Sequence, residues 1–446
     1  MLQIDRHIGK GDRKERLPEE SVRRGTSGRN AKGTTRPRRG GILVCYDGFS
    51  THVPTTAEYL ECLPKYSQNH IDFFHVTRGS NPSFDLNLYD AVFLTYGCRL
   101  CFPGHVSARF VEALNGFRGV KLFAVQDEYD RTEATRRYIK ELEFDVVLTC
   151  VPAMSLEYVY PKARFPKTEF VTVLTGYVPE NIPDYGSIRP LATRPITVGY
   201  RGRDIGARYG ELAYLKVEIG RRMRLECERR GISCDIEWID EKRIYGDEWY
   251  EFVGSCRTML GSESGSNVFD FDGSIERLFC RLKRENPELS YQEFRPHVVE
   301  REARINMGQI SPRVFEAAAL RTPQILLEGR YSGVLEPGTH FVELKKDFSN
   351  VESVLQQIND IGYLEKVADQ AYQHLVASGK YSYRKFVEMI DDLVVERTRT
   401  RPKTFALATA NSIDSNHRGS HHIGWRAALE FPTNQPLTLI SKSLIS

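Results

Sequence analysis

Gln309-Ile-Ser-Pro-Arg-Val-Phe-Glu316-Ala-Ala-Ala-Leu-Arg-Thr-Pro-Gln-Ile-Leu-Leu-Glu328 decides how the rest of the chain is read. Ser311 is a good N-cap, and Pro312 is the residue favoured at the first helical position. Arg313 to about Leu320 holds strong helix formers with no interior glycine or proline, so a helix is expected there. Thr322-Pro323 stops it, because proline disfavours helical geometry in the residue before it. Gln324 to Leu327 then reads as a short buried strand. A helix starting at a sharp Ser-Pro cap presents unpaired N–H groups and the positive end of its dipole, a site suited to a diphosphate. Glu316 lies just over a turn inside, on the face of Pro312 and Arg313. It is placed to accept from ribose hydroxyls or, equally, to pair with Arg313 on a wet face.

Pro312 to Pro323, followed by Gly333-Val-Leu-Glu-Pro-Gly338, resembles the signature of group-1 glycosyltransferases. Gly199-Tyr-Arg-Gly-Arg203, Ile244-Tyr-Gly-Asp-Glu-Trp249 and Gly261 to Gly273 add a likeness to the CgeB-like, spore-coat-associated glycosyltransferases, and the resemblance runs from about Ile42 to Met389. It implies an α/β fold of the GT-B type: two Rossmann-like domains facing across a cleft, with the last helix crossing back onto the first domain. It also implies Glu316 on the donor ribose, a nucleotide-sugar co-substrate and no metal or other cofactor. Many relatives carry a carboxylate eight positions before that Glu, where this chain has Gly308.

Outward from this element, strands alternate with helices on both sides, the pattern of a parallel doubly wound sheet. Strands are expected at 42–46, 71–76, 91–95, 120–125, 145–149 and 169–174, with helices at 55–63, 107–115 and 132–142. A Pro-, Gly- and Ser-rich stretch from Pro179 to Pro195 marks a linker. A second series opens at Pro195-Ile-Thr-Val-Gly-Tyr200, with a helix from about Leu215 ending at Gly231. The expected domains are therefore 41–190, on the acceptor side, and 191–397, on the donor side. A charged helical insertion at 274–305 interrupts the second. Residues 1–40 and 398–446 are polar tails expected to be disordered, with Leu437 to Ile445 a candidate docking strand.

Chemistry-bearing groups gather after strands. Tyr200-Arg201-Gly202-Arg203 follows the first strand of the second series, the edge where open α/β sheets bind ligands. Two arginines around a glycine suit a clamp on a leaving diphosphate, with an exposed Arg-rich turn the plainer reading. Gly261-Ser-Glu-Ser-Gly-Ser266 is a small-residue loop for close nucleotide approach, Glu263 and Ser264 being candidate donor contacts beside Gln309, Ser311 and Arg313. In the first series, Asp127 and Glu128 follow the 120–125 strand. One of them is a candidate general base or sugar contact, and at most one points at the site, the alternative being an N-cap for the next helix. Asp47, Ser50 and His52 follow the first strand as a candidate acceptor loop. Asp270-Phe-Asp272 is either a metal pair or a strand end entering a turn.

Composition narrows the classes. Residues 1–40 hold twelve of the 62 Lys/Arg and five of the 59 Asp/Glu, so from a net +3 the rest of the chain carries −4. A general nucleic-acid surface is not expected, and the basic arm, otherwise a solvated tail, is the candidate for peripheral contact with an anionic membrane. Nine cysteines, an odd number scattered along the chain, point to a reducing, cytoplasmic setting, and Cys98-Arg-Leu-Cys101 is a lone candidate metal or redox pair with no second pair or nearby histidines. No apolar run reaches a membrane-spanning length. The expected reaction moves a sugar from a nucleotide donor to a saccharide, lipid-linked or protein hydroxyl, in surface polysaccharide or glycoconjugate synthesis. The rivals are a nucleotide-sugar epimerase and a non-catalytic binding or coat protein of the same fold.

Overall fold

A computed structural model describes residues 41–182 and 188–400. The basic arm, the tail beyond Thr400 with its candidate docking strand, and positions 183–187 of the linker lie outside the described residues.

The first six apolar runs form β1 (Ile42–Tyr46), β2 (Ile71–His75), β3 (Ala91–Leu94), β4 (Val120–Val125), β5 (Val146–Thr149) and β6 (Glu169–Thr172). They make one parallel sheet in the order β2-β1-β3-β4-β5-β6. Parallel strands read as unbroken apolar runs because crossover helices cover the sheet. Those helices are α1 (Pro54–Tyr66), α2 (Ala108–Gly116), α3 (Thr132–Glu141) and the single turn α4 (Leu156–Val159). Only β2 and β6, the edges, are half-buried along their length, and they carry Asp72 and Glu169.

The second half repeats the plan. β7 (Ile196–Arg201), β8 (Cys234–Glu237), β9 (Cys256–Gly261), β10 (Gln324–Leu327) and β11 (Val342–Leu344) form a parallel sheet ordered β11-β10-β9-β7-β8. α5 (Gly210–Arg230) follows β7 and ends on Gly231, whose φ of +63° is the left-handed cap a glycine accepts without strain. α6 (Asp247–Ser255) precedes β9. The insertion is α7 (Ser274–Glu285), α8 (Tyr291–Phe294) and α9 (Val299–Glu302), packed around Val268, Ile275, Phe294 and Val298. α10 (Pro312–Ala319) is the helix expected after Ser311, and α11 (Val351–Gln357) and α12 (Ile361–Tyr372) close the sheet. In each sheet the strand order reverses beside the first strand, β1 or β7, opening a crevice at the carboxyl ends. Two Rossmann-like halves of this kind, facing across a cleft, are the GT-B arrangement.

Two of the features that join the halves are extensive. α13 (Tyr383–Thr400) crosses back to α1, where Asp391 accepts from Ser67 Oγ (2.6 Å), the Gln68 N–H (2.6 Å) and Asn69 Nδ2 (2.8 Å). Phe386 packs on Tyr59 and Tyr177, and Arg397 pairs with Glu169. The second is a seam between the loop after β4 and the chain before α7. Asp270 N–H donates to the Tyr129 carbonyl (2.8 Å), while the Thr132 and Glu133 N–H groups donate to the Asp270 and Phe271 carbonyls (3.3 and 2.8 Å). Phe269, Ile305 and Met307 of the second half sit within the first core.

This seam decides two open readings. The start of α3 is capped by carbonyls of the other half, so neither Asp127 nor Glu128 serves as its N-cap. The Asp270 carboxylate caps α7, accepting from the Ile275 (3.1 Å) and Glu276 (2.9 Å) N–H groups, and Asp272 accepts from Ser274 N–H (3.0 Å). Cys98 and Cys101 are buried thiols, Cys98 donating to the Cys45 carbonyl (3.3 Å). Among the described residues no helix is long and apolar enough to cross a membrane.

Candidate active site in the interdomain cleft

At the carboxyl ends of β7 and β9 lies a cavity of about 240 Å³, walled by Arg203, Lys216, Trp249, Ser262, Ser311 and Arg313 among others. Ser311 has extended backbone (φ −85°, ψ 145°), as an N-cap should, yet its hydroxyl makes no capping bond. Pro312 has no N–H, and the Arg313 N–H is too early in the helix to meet a carbonyl one turn back. The helix therefore opens on the cavity with donors to spare.

Lys216 comes from the second turn of α5. Its Nζ lies 3.4 Å from Ser264 Oγ, and no carboxylate within ion-pair distance is found among the described residues. Burial in the cavity wall, and secondarily the nearby Arg313 charge, hold its pKa down to about 8, against a smaller upward pull from Asp127. Arg313 also lacks an ion-pair partner among the described residues. Its guanidinium donates to the Arg201 carbonyl and lies 5.1 Å from the Trp249 ring. The two cations repel each other across the cavity, an effect only partly offset by Asp127 acting on Lys216 and by Glu316 near Arg313, and an anion between them relieves it.

The arginines after β7 divide differently. Arg201 lines the same cavity, but both its Nη atoms are held by Asp235 of β8 at 2.8 Å and the guanidinium lies on the Phe252 ring at 4.2 Å, which leaves Nε without a partner among the described residues. The strand pairing that sets Arg201 opposite Glu237 and Tyr200 opposite Ile236 brings Asp235 within reach. Arg203 stays exposed at the rim, 3.4 Å from Asp240.

Three more expected donor contacts are redirected. Glu316 is 6% exposed, and its Oε2 accepts from Trp249 Nε1 at 2.7 Å. Burial raises its pKa, the indole bond pulling the other way. Glu316 thus braces the tryptophan that lines the cavity rather than standing open to a ribose, and the wet pairing with Arg313 is excluded by its burial. Gln309 is 3% exposed; its amide reaches across the halves to the Cys150 carbonyl (3.0 Å) while its backbone pairs with Ser264. Glu263 turns away from this cavity, its Oε1 taking the Arg330 (2.5 Å) and Tyr331 (3.2 Å) N–H groups. A Cβ at Gly308 would come within 2.7 Å of that oxygen, so the Glu263 carboxylate fills the space where a side chain at 308 would begin.

Across the cleft, adjacent acids part company as an extended chain requires. Glu128 is fully buried, accepting from Thr149 Oγ1 and the Cys150 N–H (3.2 Å), with Oε2 unpartnered. Desolvation lifts its pKa to about 8, and its complete burial keeps the carboxylate from facing a substrate. Asp127 keeps a side chain 47% exposed, oriented by Tyr129 OH (2.8 Å) and near Arg99 (3.8 Å). Asp47, Ser50 and His52 form a turn closed on itself. Asp47 accepts from Thr77 Oγ1 (2.6 Å), Ser50 donates to the Asp47 carbonyl (2.9 Å), and His52 Nδ1 meets the Phe49 carbonyl (3.0 Å). His52 is exposed.

Lys216, Trp249 and Asp235 are the residues that motif reading passed over as side chains. Within the helix, the signal for Lys216 was a lysine set among Leu212, Ala213, Leu215 and Ile219, whose apolar face packs on the sheet.

No protein-family profile matches the chain, and no curated protein matches its sequence. Solved structures resemble it in chain trace at low identity. An alpha-glucosyltransferase in complex with UDP-glucose and DNA containing an abasic site is 10% identical, covering 79% of this chain and 99% of that one at a TM-score of 0.46. Anabaena HepE in complex with UDP and glucose is 12% identical, covering 80% of this chain and 100% of that one at 0.41. TarM is 10% identical over 70% of this chain at 0.37, and the chain spans about half of it, 55%.

Proposed function

We propose that the protein is a glycosyltransferase whose second half holds the diphosphate of a nucleotide-sugar donor and whose first half receives the acceptor hydroxyl. The observation that carries the reading is the cavity where Lys216, Arg313 and the unclosed start of α10 converge. Negative charge builds on the β-phosphate as the sugar bond breaks, and donors already fixed around it favour that transition state over the ground state. Lys216 and Arg313 take the clamp role that the sequence placed on Arg201. Arg203 guides the ligand at the rim, and Trp249, braced by Glu316, forms the wall. These cations supply the positive charge the leaving group needs, so the proposal includes no metal.

Asp127 is the proposed acceptor-side carboxylate. It is the acid after β4 that faces the cleft, and its charge is felt at Lys216. In an inverting reaction it takes the acceptor proton; in a retaining one it holds the sugar. The acceptor is proposed to be a saccharide, lipid-linked saccharide or protein hydroxyl in glycoconjugate synthesis, with Asp47, Ser50 and His52 bordering its path.

The test is calorimetry and thermal shift with UDP, GDP, ADP, TDP and CMP, with and without magnesium. UDP, bound in structures named above, is the first to try. One diphosphate is expected to bind without metal and to lose about 10–100-fold affinity in Lys216→Ala and in Arg313→Ala, the worth of one charge-assisted contact. No binding by any of them overturns the transferase reading in favour of a coat or scaffold protein. Hydrolysis or isomerisation of the donor without acceptor would instead favour an epimerase.

A further inference from the structure

A cavity of about 360 Å³ lies wholly within the second half, across the loop after β7 from the diphosphate cavity. Arg203 and Ile205 of that loop line the diphosphate cavity, whereas Asp204 and Gly206 line this one. α5 divides in the same way, with Lys216 on one side and Val217 on the other. The insertion supplies the remaining wall. Its small core closes over Phe294 and Val298 but leaves Phe279 of α7 and Leu289 half-buried along the cavity.

That wall is aromatic. Tyr214 of α5 and Tyr291 of α8 stack with ring centres 4.8 Å apart and planes 19° from parallel. Phe279 stands against the loop, where a Cβ at Gly206 would meet its ring at 3.6 Å. With Val217 and Leu289 the three rings make an apolar slot suited to a flat ring, since aromatic pairs gain from offset-stacked and edge-on contact beyond the area they bury.

Two charges border the slot, and neither is neutralised. Lys283 and Asp204 are exposed, and neither forms an ion pair among the described residues. The Asp204 carboxylate is held in place by the Gly206 N–H, which donates to its Oδ1 (2.8 Å). The other polar side chains of the lining are engaged. Ser290 donates to the Glu293 carboxylate (2.7 Å) and accepts from the Glu293 N–H (3.3 Å), and the Tyr291 hydroxyl lies 3.5 Å from Glu302. A neutral ring would leave both charges unmatched. An aromatic anion gains Lys283 but meets Asp204, and an aromatic cation has the reverse fault. A ring carrying one carboxylate and one ammonium matches both.

We propose that this slot binds a free aromatic amino acid, its ring against Tyr214, Tyr291 and Phe279, its carboxylate on Lys283 and its ammonium on Asp204. The ligand is neither the sugar donor nor the acceptor, so the site stands whatever the diphosphate cavity holds.

Calorimetry on the full chain with L-phenylalanine, L-tyrosine and L-tryptophan tests it. At least one is expected to bind, and to lose about two- to fivefold in affinity in Lys283→Gln and in Asp204→Asn, the worth of an exposed charge pair. Both positions are exposed, so neither variant puts folding at risk. The amide of the same amino acid lacks the carboxylate and should be indifferent to Lys283→Gln. Its N-acetyl form lacks the ammonium and should be indifferent to Asp204→Asn. Val217→Trp, which fills the slot, should abolish binding, and UDP should leave the amino acid bound. No binding by any of the three, or an affinity unchanged in both charge variants, overturns the proposal. So does an amide and an N-acetyl form that bind as tightly as the parent. Displacement by UDP would overturn it as well, by giving the slot to the base of the nucleotide.

Discussion

The carboxyl ends of the two sheets use charge in opposite ways. After β4 the first half sends one acid into solvent and buries its neighbour, leaving Asp127 as the negative group on that face. After β7 the second half neutralises the arginine nearest the strand through Asp235, and draws its unpaired positive charge from α5 and α10 instead. One architecture therefore presents a negative face and a positive face to the same cleft. What distinguishes them is the sign of the charge each turns to the cleft: Asp127, oriented by Tyr129 and near Arg99, on one face, and Lys216 and Arg313, with no ion-pair partner among the described residues, on the other.

The strongest challenge to this contrast is Asp127→Asn. Turnover is expected to fall about 10²–10⁴-fold while diphosphate affinity, read by calorimetry, changes less than about threefold. Equal losses in both would place Asp127 in donor binding and erase the division of labour. Next in size is the pH dependence of the cation face. The ammonium form of Lys216 is the one that binds a diphosphate, so affinity should fall as pH rises through about 8, by up to about tenfold per unit. Lys216→Ala should flatten that slope, and a slope that survives in the variant would assign it to another group.

Glu128→Gln sharpens the other face. A carboxyl whose folded pKa is raised to about 8 holds a proton the unfolded chain has released, so its contribution to stability is present below pH 4.5 and is lost as pH rises through about 8. The glutamine removes that loss. Melting at pH 8.5 is expected to rise by the equivalent of roughly 2–4 kcal/mol, with little change at pH 4.5. A variant no more stable at pH 8.5 than the wild type would mean that water or a counter-charge serves Oε2. The smallest effect belongs to Arg203→Ala, about two- to threefold in diphosphate affinity, since a rim charge acts mostly on association.

The framework of both halves was legible because it depends on local signals. Continuous apolar runs gave the strands, Ser311-Pro312 and Pro323 bracketed α10, and Gly231 ended α5. The partnerships inside the site were not, because each joins residues far apart in the chain. Arg201 meets Asp235 only once β7 pairs with β8, and Gln309 finds Cys150 across the halves. Trp249 covers Glu316 because α6 packs beside α10 at the cavity wall. Lys216 escaped notice for a different reason. On a helix of this length a lysine beside the apolar stripe is normally solvated, and only the crevice beside β7 turns it into a cavity-lining residue.

The return of α13 has a consequence for how the protein is made. Ser67, Gln68 and Asn69 near the start of the chain wait for Asp391, and Tyr59 waits for Phe386. During vectorial synthesis the first half emerges long before those residues exist, so its sheet forms with one flank uncovered until α13 has been made. The second half, by contrast, holds its own last strand, β11, well before α13 appears. Emergence of α13, rather than completion of either sheet, is then the moment at which the first half becomes fully clothed. A chain stalled shortly before Tyr383 would present a folded donor half tethered to an unfinished partner, a natural client for chaperones.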